Sequence, residues 1–586
     1  MFQQIFENQQ HLFSQKTTLP SRPPPRKRKL SVLEETPESL DTDLDVGLKR
    51  IRLDHAYSFA SPEERIKKLQ EKIASLERSL QECRTENKSL KEKLKRRDAK
   101  CNNLIKELED QKLISNEAAN LLNLNFNNET LTLIQNELEA SQTSSGQHRY
   151  SEAVKEFAVT VHFYSPKAYD YLCGFLHLPN PSTIRRWATS IDCEPGFLSD
   201  VINKLGEDLE KNSDMKDVCI MFDAISIKKE CLYDEKTCSF AGCVNFGHYM
   251  ESKSEVATEA LFFMVVGIKG RWKMPFGYFL GKADGELQAQ FVRQAICLLS
   301  QKGFNIVGIT CDGSYANQTT AKNLGCSLDV ASLKSSFTHP DDPDKEIFFL
   351  FDACHLLKCV RNCLGDMKII KHNGEAIKWR YLEALHNIQL TDDLHLANKV
   401  TGKHIDYVKS KMNVRLAAQT LSYSVADAID FLRVEEGHPD FQGSEKTTEF
   451  IRKLDTLFDM CNSKNPIARY SKSRIDESNL EQKIEQFHNL SNYLKELTDV
   501  EGQPLVLGRR KTPFLGFMMT AMSLCQISRE LLKRPNEPLK YLLTIRFSQD
   551  YLESLFSQLR RKGGWNNNPN VLQLKWSLRS LLMKMV

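Results

Sequence analysis

The sequence predicts an α/β fold: a strand-and-helix core interrupted by an all-α insertion, preceded by a coiled coil and a helix-turn-helix. Three observations predict it. A heptad pattern occupies residues 61–118. From 215 to 364 the pattern changes to apolar strand runs separated by amphipathic helices. From 365 to about 535 it is helical again, and a last helical stretch follows in 540–586. A chain of 586 residues is too long for one core, so several domains are expected.

Bulk properties exclude some classes. The net charge of +4 is nearly balanced, so any basic surface must be local. The longest apolar run, Ala260–Ile268, falls well short of the roughly 20 residues that a membrane span needs. "MFQQIFENQQHLFSQ" at the start lacks the apolar centre of a signal peptide. The 16 cysteines include no C-x2-C pair, so they read as reduced, mostly buried thiols and not as a zinc site.

Residues 1–60 read as a disordered tail. Within it, Arg26, Lys27, Arg28 and Lys29 follow a proline run in "LPSRPPPRKRKLSV", the usual shape of a nuclear localisation signal. A nuclear protein is the expectation. The coil carries Ile66, Leu69, Ile73, Leu76, Leu80, Cys83, Asn87, Leu90, Leu94, Arg97, Cys101, Leu104 and Leu108 at alternating steps of three and four. Asn87 at an a position favours facing its own copy, which predicts a parallel homodimer, with a higher oligomer as the alternative. Arg97 at a d position weakens the second half.

Residues 145–206 read as three short helices. The first runs to about Tyr164. Ser165 caps the second, with Pro166 at its first position, and Ser182 or Thr183 starts the third after "LPNPS". Arg185, Arg186 and Trp187 on the third helix suit a helix-turn-helix touching DNA phosphates. A plain helical connector fits the periodicity equally well.

The core opens with "KDVCIMFDAISIKKE". The strings "KTCSFAGCVNFG", "ATEALFFMVVGIKG", "FNIVGITCDGSYAN" and "KEIFFLFDACHLLKCVRN" continue it, with an amphipathic helix at Glu286–Lys302. Three strands, helix, strand, helix, strand is the opening of an RNase H-like domain. Such a nuclease holds one acid on its first strand, a second at the end of its fourth, and a third on a later helix. Together they bind two Mg²⁺ (or Mn²⁺) ions, for which hard carboxylate oxygens are suited. Asp223 sits inside "VCIMFDAISI", where a charge is costly without a metal or partner. Asp312 ends the "IVGIT" strand. Glu553 lies in "DYLESLFSQLRRK", with Leu552, Leu555 and Phe556 expected to turn it toward the core. The long gap from Asp312 to Glu553 requires an inserted domain. Asp352 is the rival second acid and reads instead as the cap of a helix starting near Ala353. His355 reads as a core histidine. "GYFLGKAD" lacks the spacing and the Ser or Thr of a phosphate loop.

Six strings in order, "FYSPKAYDYL", "LPNPSTIRRW", "MFDAISIKK", "TCDGSYAN", "FDACHLLKCVRN" and "DYLESLFSQLRRKGGWNNNPN", resemble the P element transposases in their vertebrate THAP-type form. The resemblance runs from about residue 54 to the last. It implies a metal-dependent cut-and-paste reaction on DNA, and an RNase H-like core split by a GTP-binding insertion. The acids that it implies are Asp223, Asp312 and Glu553. The family contacts guanine nucleotide through a helix reading roughly Asn-x-x-Phe-Asp. Here the match is "RKLDTLFDMCNSKNP", giving Asp455, Phe458 and Asp459, with Asp455 where the family has Asn. An amphipathic core helix is the other reading of that stretch. Residues 1–53 contain no cysteine, so the family's zinc-bound THAP domain is expected to be absent, and so is its usual C-terminal extension. The alternative to an active transposase is therefore a domesticated, catalytically silent, dimeric DNA-binding protein.

Overall fold

The computed structural model describes residues 128–142, 149–189, 192–234, 238–247, 251–391, 396–397, 399–562 and 566–585. It also describes Gln81, Thr85, Asn87–Ser89, Lys91 and Glu92, all helical. The basic cluster Arg26–Lys29 and the heptad positions other than Asn87 lie outside the described residues. The chain divides into two units, Met1–Lys91 and Glu92–Val586.

The second unit is built around a mixed sheet. Five long strands carry it: β1 (Asp217–Ser226), β2 (Glu259–Gly267), β3 (Lys273–Leu280), β4 (Asn305–Cys311) and β5 (Asp342–Phe351). Their spatial order is β5-β4-β1-β2-β3, with Ser336–His339 outside β5 and Cys243–Asn245 and Glu251–Val256 outside β3. β1 pairs with β2 antiparallel and with β4 parallel. Both faces of the sheet are covered, which is why β1 and β2 read as continuous apolar runs and not as alternating ones. β3 is a strand that the sequence does not announce. "KMPFGYFL" resembles a lead-in to the next helix, yet almost every residue of it is buried. Its Pro275 sits at the irregularity where the β2–β3 register shifts, a place that tolerates the missing N–H. "KTCSFAGCVNFG", expected as a main strand, forms only the short pieces Ser239–Ala241 and Cys243–Asn245.

Ahead of the sheet, α1 (Asn128–Gln142), α2 (Glu152–Tyr164), α3 (Pro166–Leu172) and α4 (Pro181–Thr189) share their own small core of Val154, Ala158, Tyr169, Leu178 and Ile184. The Ser165 hydroxyl accepts from Ala168 N (3.1 Å) and caps α3, with Pro166 at its first position. Asn180, a little earlier than the serine or threonine expected, opens α4: its Oδ1 accepts from Ser182 N (2.9 Å). The unit ends with α4. The next helix, α5 (Ser199–Lys211), begins within 145–206 in sequence, but it buries Val201, Ile202 and Leu205 in the main core.

α6 (Gly285–Ser300) is capped by Asp284 and packs with α7 (Tyr315–Leu324) before β5. α8 (Ala353–Met367) leaves β5 directly. The insertion that follows is helical, with α9 (Glu445–Cys461) among its helices. It also holds a small three-stranded sheet of Glu375–Lys378, Ile369–His372 and Leu497–Thr498. α10 (Thr512–Leu532), expected inside the insertion at 365–535, returns to the core. Its sequence is apolar on nearly every face, the mark of a helix buried all round. Thr520 Oγ1 accepts from Phe351 N (2.9 Å) and donates to Phe351 O (2.8 Å), and Ser523 Oγ donates to Phe349 O (2.7 Å). These hydroxyls satisfy strand-edge groups of β5 that no neighbouring strand reaches. Beyond α10, Arg534 forks onto both carboxylate oxygens of Asp217 at the start of β1 (3.0 and 2.7 Å). α11 (Asp550–Lys562) and α12 (Val571–Met585) complete the chain, and Lys562 Nζ donates to Phe163 O (2.6 Å), tying the late helices to α2. Among the described residues no helix is long and apolar enough to cross a membrane.

Candidate functional site

Two acids meet at one end of the central strands. In the parallel β1–β4 pair, Met221 stands opposite Thr310. Asp223 and Asp312 each follow two residues later, so they occupy equivalent positions on neighbouring chains, about 5 Å apart along the hydrogen-bonding direction. Burial, then the charge of Asp312, pushes the Asp223 carboxyl up to about 7, and Glu553 and Asp352 add to the rise. The Ala224 N–H, which donates to Asp223 Oδ1 (2.8 Å), opposes it. Among the described residues no lysine or arginine pairs with Asp223. The Asp312 carboxylate accepts from Ser314 N (2.9 Å) and Asn317 Nδ2 (2.5 Å), and its other oxygen lies 4.0 Å from His355 Nδ1. Burial lowers the His355 pKa, with Lys358 adding to the fall and Asp312 opposing it.

Glu553 is placed differently from the expectation. Leu552, Leu555, Phe556 and Leu559 form the buried stripe of α11, and Glu553 flanks that stripe at the exposed rim of the site. The helix turns its leucines inward, and the residue beside them stays in reach of water. Its carboxyl is still raised by burial, with Asp352 and Asp550 adding and Lys358 opposing. Among the described residues no group of three or more His, Cys, Asp and Glu side chains is arranged to hold a metal ion. Asp223 and Asp312 by themselves fit a hard divalent cation. They are adjacent carboxylates, Asp223 half-buried without a cationic partner, and a bound positive charge is what would let Asp223 ionise beside Asp312.

Asp352 is buried and caps α8 as expected: Oδ2 accepts from His355 N (2.8 Å). It also does what the sequence did not reveal. Its Oδ1 accepts from Gln549 N (3.0 Å) and Ser548 Oγ (3.2 Å), and Gln549 Nε2 donates to Phe222 O (2.9 Å). The residues just before α11 are thereby fastened to β1 immediately beside Asp223. The signal in the sequence was the polar "SQD" interrupting "IRF" and "YLESLF", which looks like ordinary helix-start chemistry.

In the insertion, a cavity of about 350 Å³ lies against α9 and is lined by Asp455, Phe458 and Asp459 together with Tyr423, Arg415, Lys399 and Lys472 among others. Burial and Asp459 push Asp455 up to about 6, while the Tyr423 N–H that it accepts (3.2 Å) opposes the rise. Asp459 is held by Ser471 Oγ (3.0 Å) and Lys472 (3.6 Å). On α4, Arg185 and Arg186 are exposed, and Arg185 Nε donates to Pro181 O (3.2 Å). Trp187 is half-buried against the helical core, with the Lys155 ammonium 5.8 Å from its ring centre.

Four family models match in chain order. They are a Transposable element P transposase-like HTH domain over residues 107–187, a TNP-like RNase H N-terminal domain over 193–325, a TNP-like GTP-binding insertion domain over 354–474, and a TNP-like RNase H C-terminal domain over 546–577. Over 520 residues the chain is 29% identical to the DNA transposase THAP9 of Homo sapiens, covering 87% of this chain and 55% of that protein. Over 435 residues it is 28% identical to the Transposable element P transposase of Drosophila melanogaster, covering 73% and 53%. The chain thus spans about half the length of the curated relatives it matches. Its fold is similar to that in the Drosophila P element transposase strand transfer complex, with a TM-score of 0.66 at 24% identity, covering 78% of this chain and 97% of that one.

Proposed function

Because the chain is homologous to the P element transposases over most of its length, we propose that it carries out metal-dependent DNA strand cleavage and transfer of the P element type. The observation that supports this most is the pairing of Asp223, inside β1, with Asp312, just past the end of the parallel neighbour β4, with Asp223 half-buried and without a cationic partner. In this reading Asp223 and Asp312 hold Mg²⁺ or Mn²⁺, and Glu553 joins them from the rim of α11. Bound there, such a metal would supply Lewis-acid stabilisation of the phosphate and lower the pKa of an attacking water or hydroxyl. The chain's own groups do the rest. Asn317 and the Ser314 N–H fix the orientation of Asp312. Asp352 and Gln549 hold the α11 terminus beside β1.

The α9 cavity is the proposed guanine-nucleotide site, with Asp455, Phe458 and Asp459 as its contacts. Arg185 and Arg186 are the proposed DNA phosphate contacts, with Trp187 packing behind them. Residues 61–118 are proposed to pair two copies, and the Arg26–Lys29 cluster to direct the chain to the nucleus. The second reading, a DNA-binding protein without strand cleavage, draws on the rim position of Glu553 and the lack of a three-acid ligand group among the described residues. Nicking of supercoiled plasmid in Mn²⁺ or Mg²⁺ decides between them. The transposase reading expects cutting that Asp223→Ala abolishes. DNA binding without cutting, in wild type and variant alike, favours the second.

A further inference from the structure

Lys358 is among the most deeply buried lysines of the described residues, at 6% relative exposure. It sits on α8, one turn after His355, so the two side chains rise from the same side of the helix. His355 faces Asp312 at 4.0 Å. Lys358 is the foremost positive charge acting on Glu553, and it also acts on His355. Lys358 therefore stands beside the acid site, on the helix that carries His355. Among the described residues it has no hydrogen bond and no ion pair within 4.0 Å, and it is not among the sealed, unpaired polar atoms. A lysine whose aliphatic stem is buried while its charged end still meets water presents a fixed cation. Such a charge, hydrated and without a close anion, is placed for an anion that arrives from outside.

We propose that Lys358 contacts the phosphate backbone of the DNA strand bound at the acid site, through a non-bridging oxygen of the phosphate at or next to the one cut. This rests on the nuclease reading and adds the group that receives the phosphate. The carboxylates that hold a metal repel a phosphodiester, and a lysine beside them supplies attraction without competing for the metal. Lysine suits a single phosphate oxygen as a point charge, with no bidentate demand.

The test uses the full chain and a nicked duplex, whose 3′-hydroxyl and 5′-phosphate resemble a cleaved strand. Affinity is measured in CaCl₂ across a series of NaCl concentrations for wild type, Lys358→Gln and Lys358→Arg, with folding of each checked by circular dichroism. Loss of one phosphate contact lowers the slope of log affinity against log salt by about one. The expected result is that reduced slope for Lys358→Gln, a wild-type slope for Lys358→Arg, and a fall of at least tenfold in Mn²⁺-dependent nicking for Lys358→Gln. An unchanged slope in folded Lys358→Gln overturns the proposal, because a lysine that only offsets Glu553 leaves the count of phosphate contacts alone. If Lys358→Gln does not fold, acylation of Lys358 by acetic anhydride in the wild-type chain, read by mass spectrometry with and without the duplex, replaces it. Protection by DNA supports the contact, and equal labelling overturns it. If the wild type binds DNA but never nicks, the nuclease reading fails by itself, and the slope or the labelling still decides Lys358.

Discussion

Changing Asp223 to Asn should make the metal-free protein more stable while removing its response to metal. In the fold, burial and Asp312 carry the Asp223 carboxyl from 3.8 to about 7. The rise is roughly three pK units at about 1.4 kcal/mol each, so ionising Asp223 in the fold costs up to about 4 kcal/mol. The direction follows from which state ionises first. Below about pH 4 both states are protonated and nothing is lost. Between about 4 and 7 the unfolded chain gives up its proton while the folded one holds it, so stability falls as pH rises. Above about 7 the loss is complete. Asn cannot ionise, and its Oδ1 still accepts from Ala224 N. The variant should therefore gain about 2 kcal/mol over wild type near pH 8, allowing for relaxation around the buried group, and almost nothing near pH 4. Urea unfolding in EDTA over that pH range measures this. The same samples in Mn²⁺ should show a rise in wild-type melting temperature that the variant lacks. A variant less stable than wild type near pH 8, or a gain that does not depend on pH, would refute the reasoning, since either result means that Asp223 is already compensated without a metal.

Asp352→Ala should lose about 3 kcal/mol in urea unfolding. The helix cap accounts for about 1 kcal/mol, and the buried Gln549 N–H and Ser548 hydroxyl left unpaired account for about 1 each. Asp352→Asn should lose about half, because one amide oxygen can serve either α8 or the α11 start but not both; equal losses for the two variants would contradict that division. Arg534→Met should cost about 2 kcal/mol by stripping a forked partner from buried Asp217. Burial opposes ionisation of Asp217, but Arg534 and Asn305 outweigh it and hold its carboxyl below the usual value, so the loss should be full at neutral pH and shrink as pH drops through the folded pKa. A loss that persists in strong acid would show packing, not charge, at work. Binding of a fluorescent GTP analogue should weaken as pH falls through about 6, where Asp455 takes up its proton, and a flat titration between about pH 7.5 and 5 would exclude its carboxylate as a contact. Arg185 and Arg186 changed together to Ala should reduce the salt dependence of duplex binding by about two in slope, and an unchanged slope would leave α4 as a connector.

The parts of the fold that were legible in the sequence are those whose signal is local. β1 and β4 announce themselves as apolar runs, and each leads into a single acid. Ser165 with Pro166, and Asp352 before Ala353, are caps that can be read from adjacent residues alone. β3 and α10 escaped for a shared reason. Both are buried on nearly all sides, so neither shows the alternation or the stripe by which an element is usually recognised. The tertiary partner of α10, β5, is also distant in sequence. α5 is ambiguous for a related reason: its amphipathic pattern shows that it packs on something, and only the fold shows that the partner is the main core.

The site itself divides along the same line. Asp223 stood out because a charge inside an apolar strand is costly, and that cost is what the fold retains in the raised Asp223 carboxyl. Glu553 was equally conspicuous as an acid among leucines, but conspicuousness said nothing about which side of the helix it would take. The angular position of α11 is set by contacts outside its own sequence: Asp352 reaching Ser548 and Gln549, and Gln549 reaching Phe222 O. Those bonds fix the residues just before α11, and Glu553, whose N–H donates to Gln549 O (3.0 Å), closes the first turn with its side chain at the rim. The α11 anchor and the Asp223–Asp312 pair are thus set by hydrogen bonding and sheet register, whereas the reach of the third acid depends on its own rotamer and on whatever charge is bound between the other two. A half-buried carboxylate pair with a rim acid, and Lys358 on the neighbouring α8 without a close anion, leave charge of both signs unbalanced, and a divalent cation together with a phosphodiester would balance both at once.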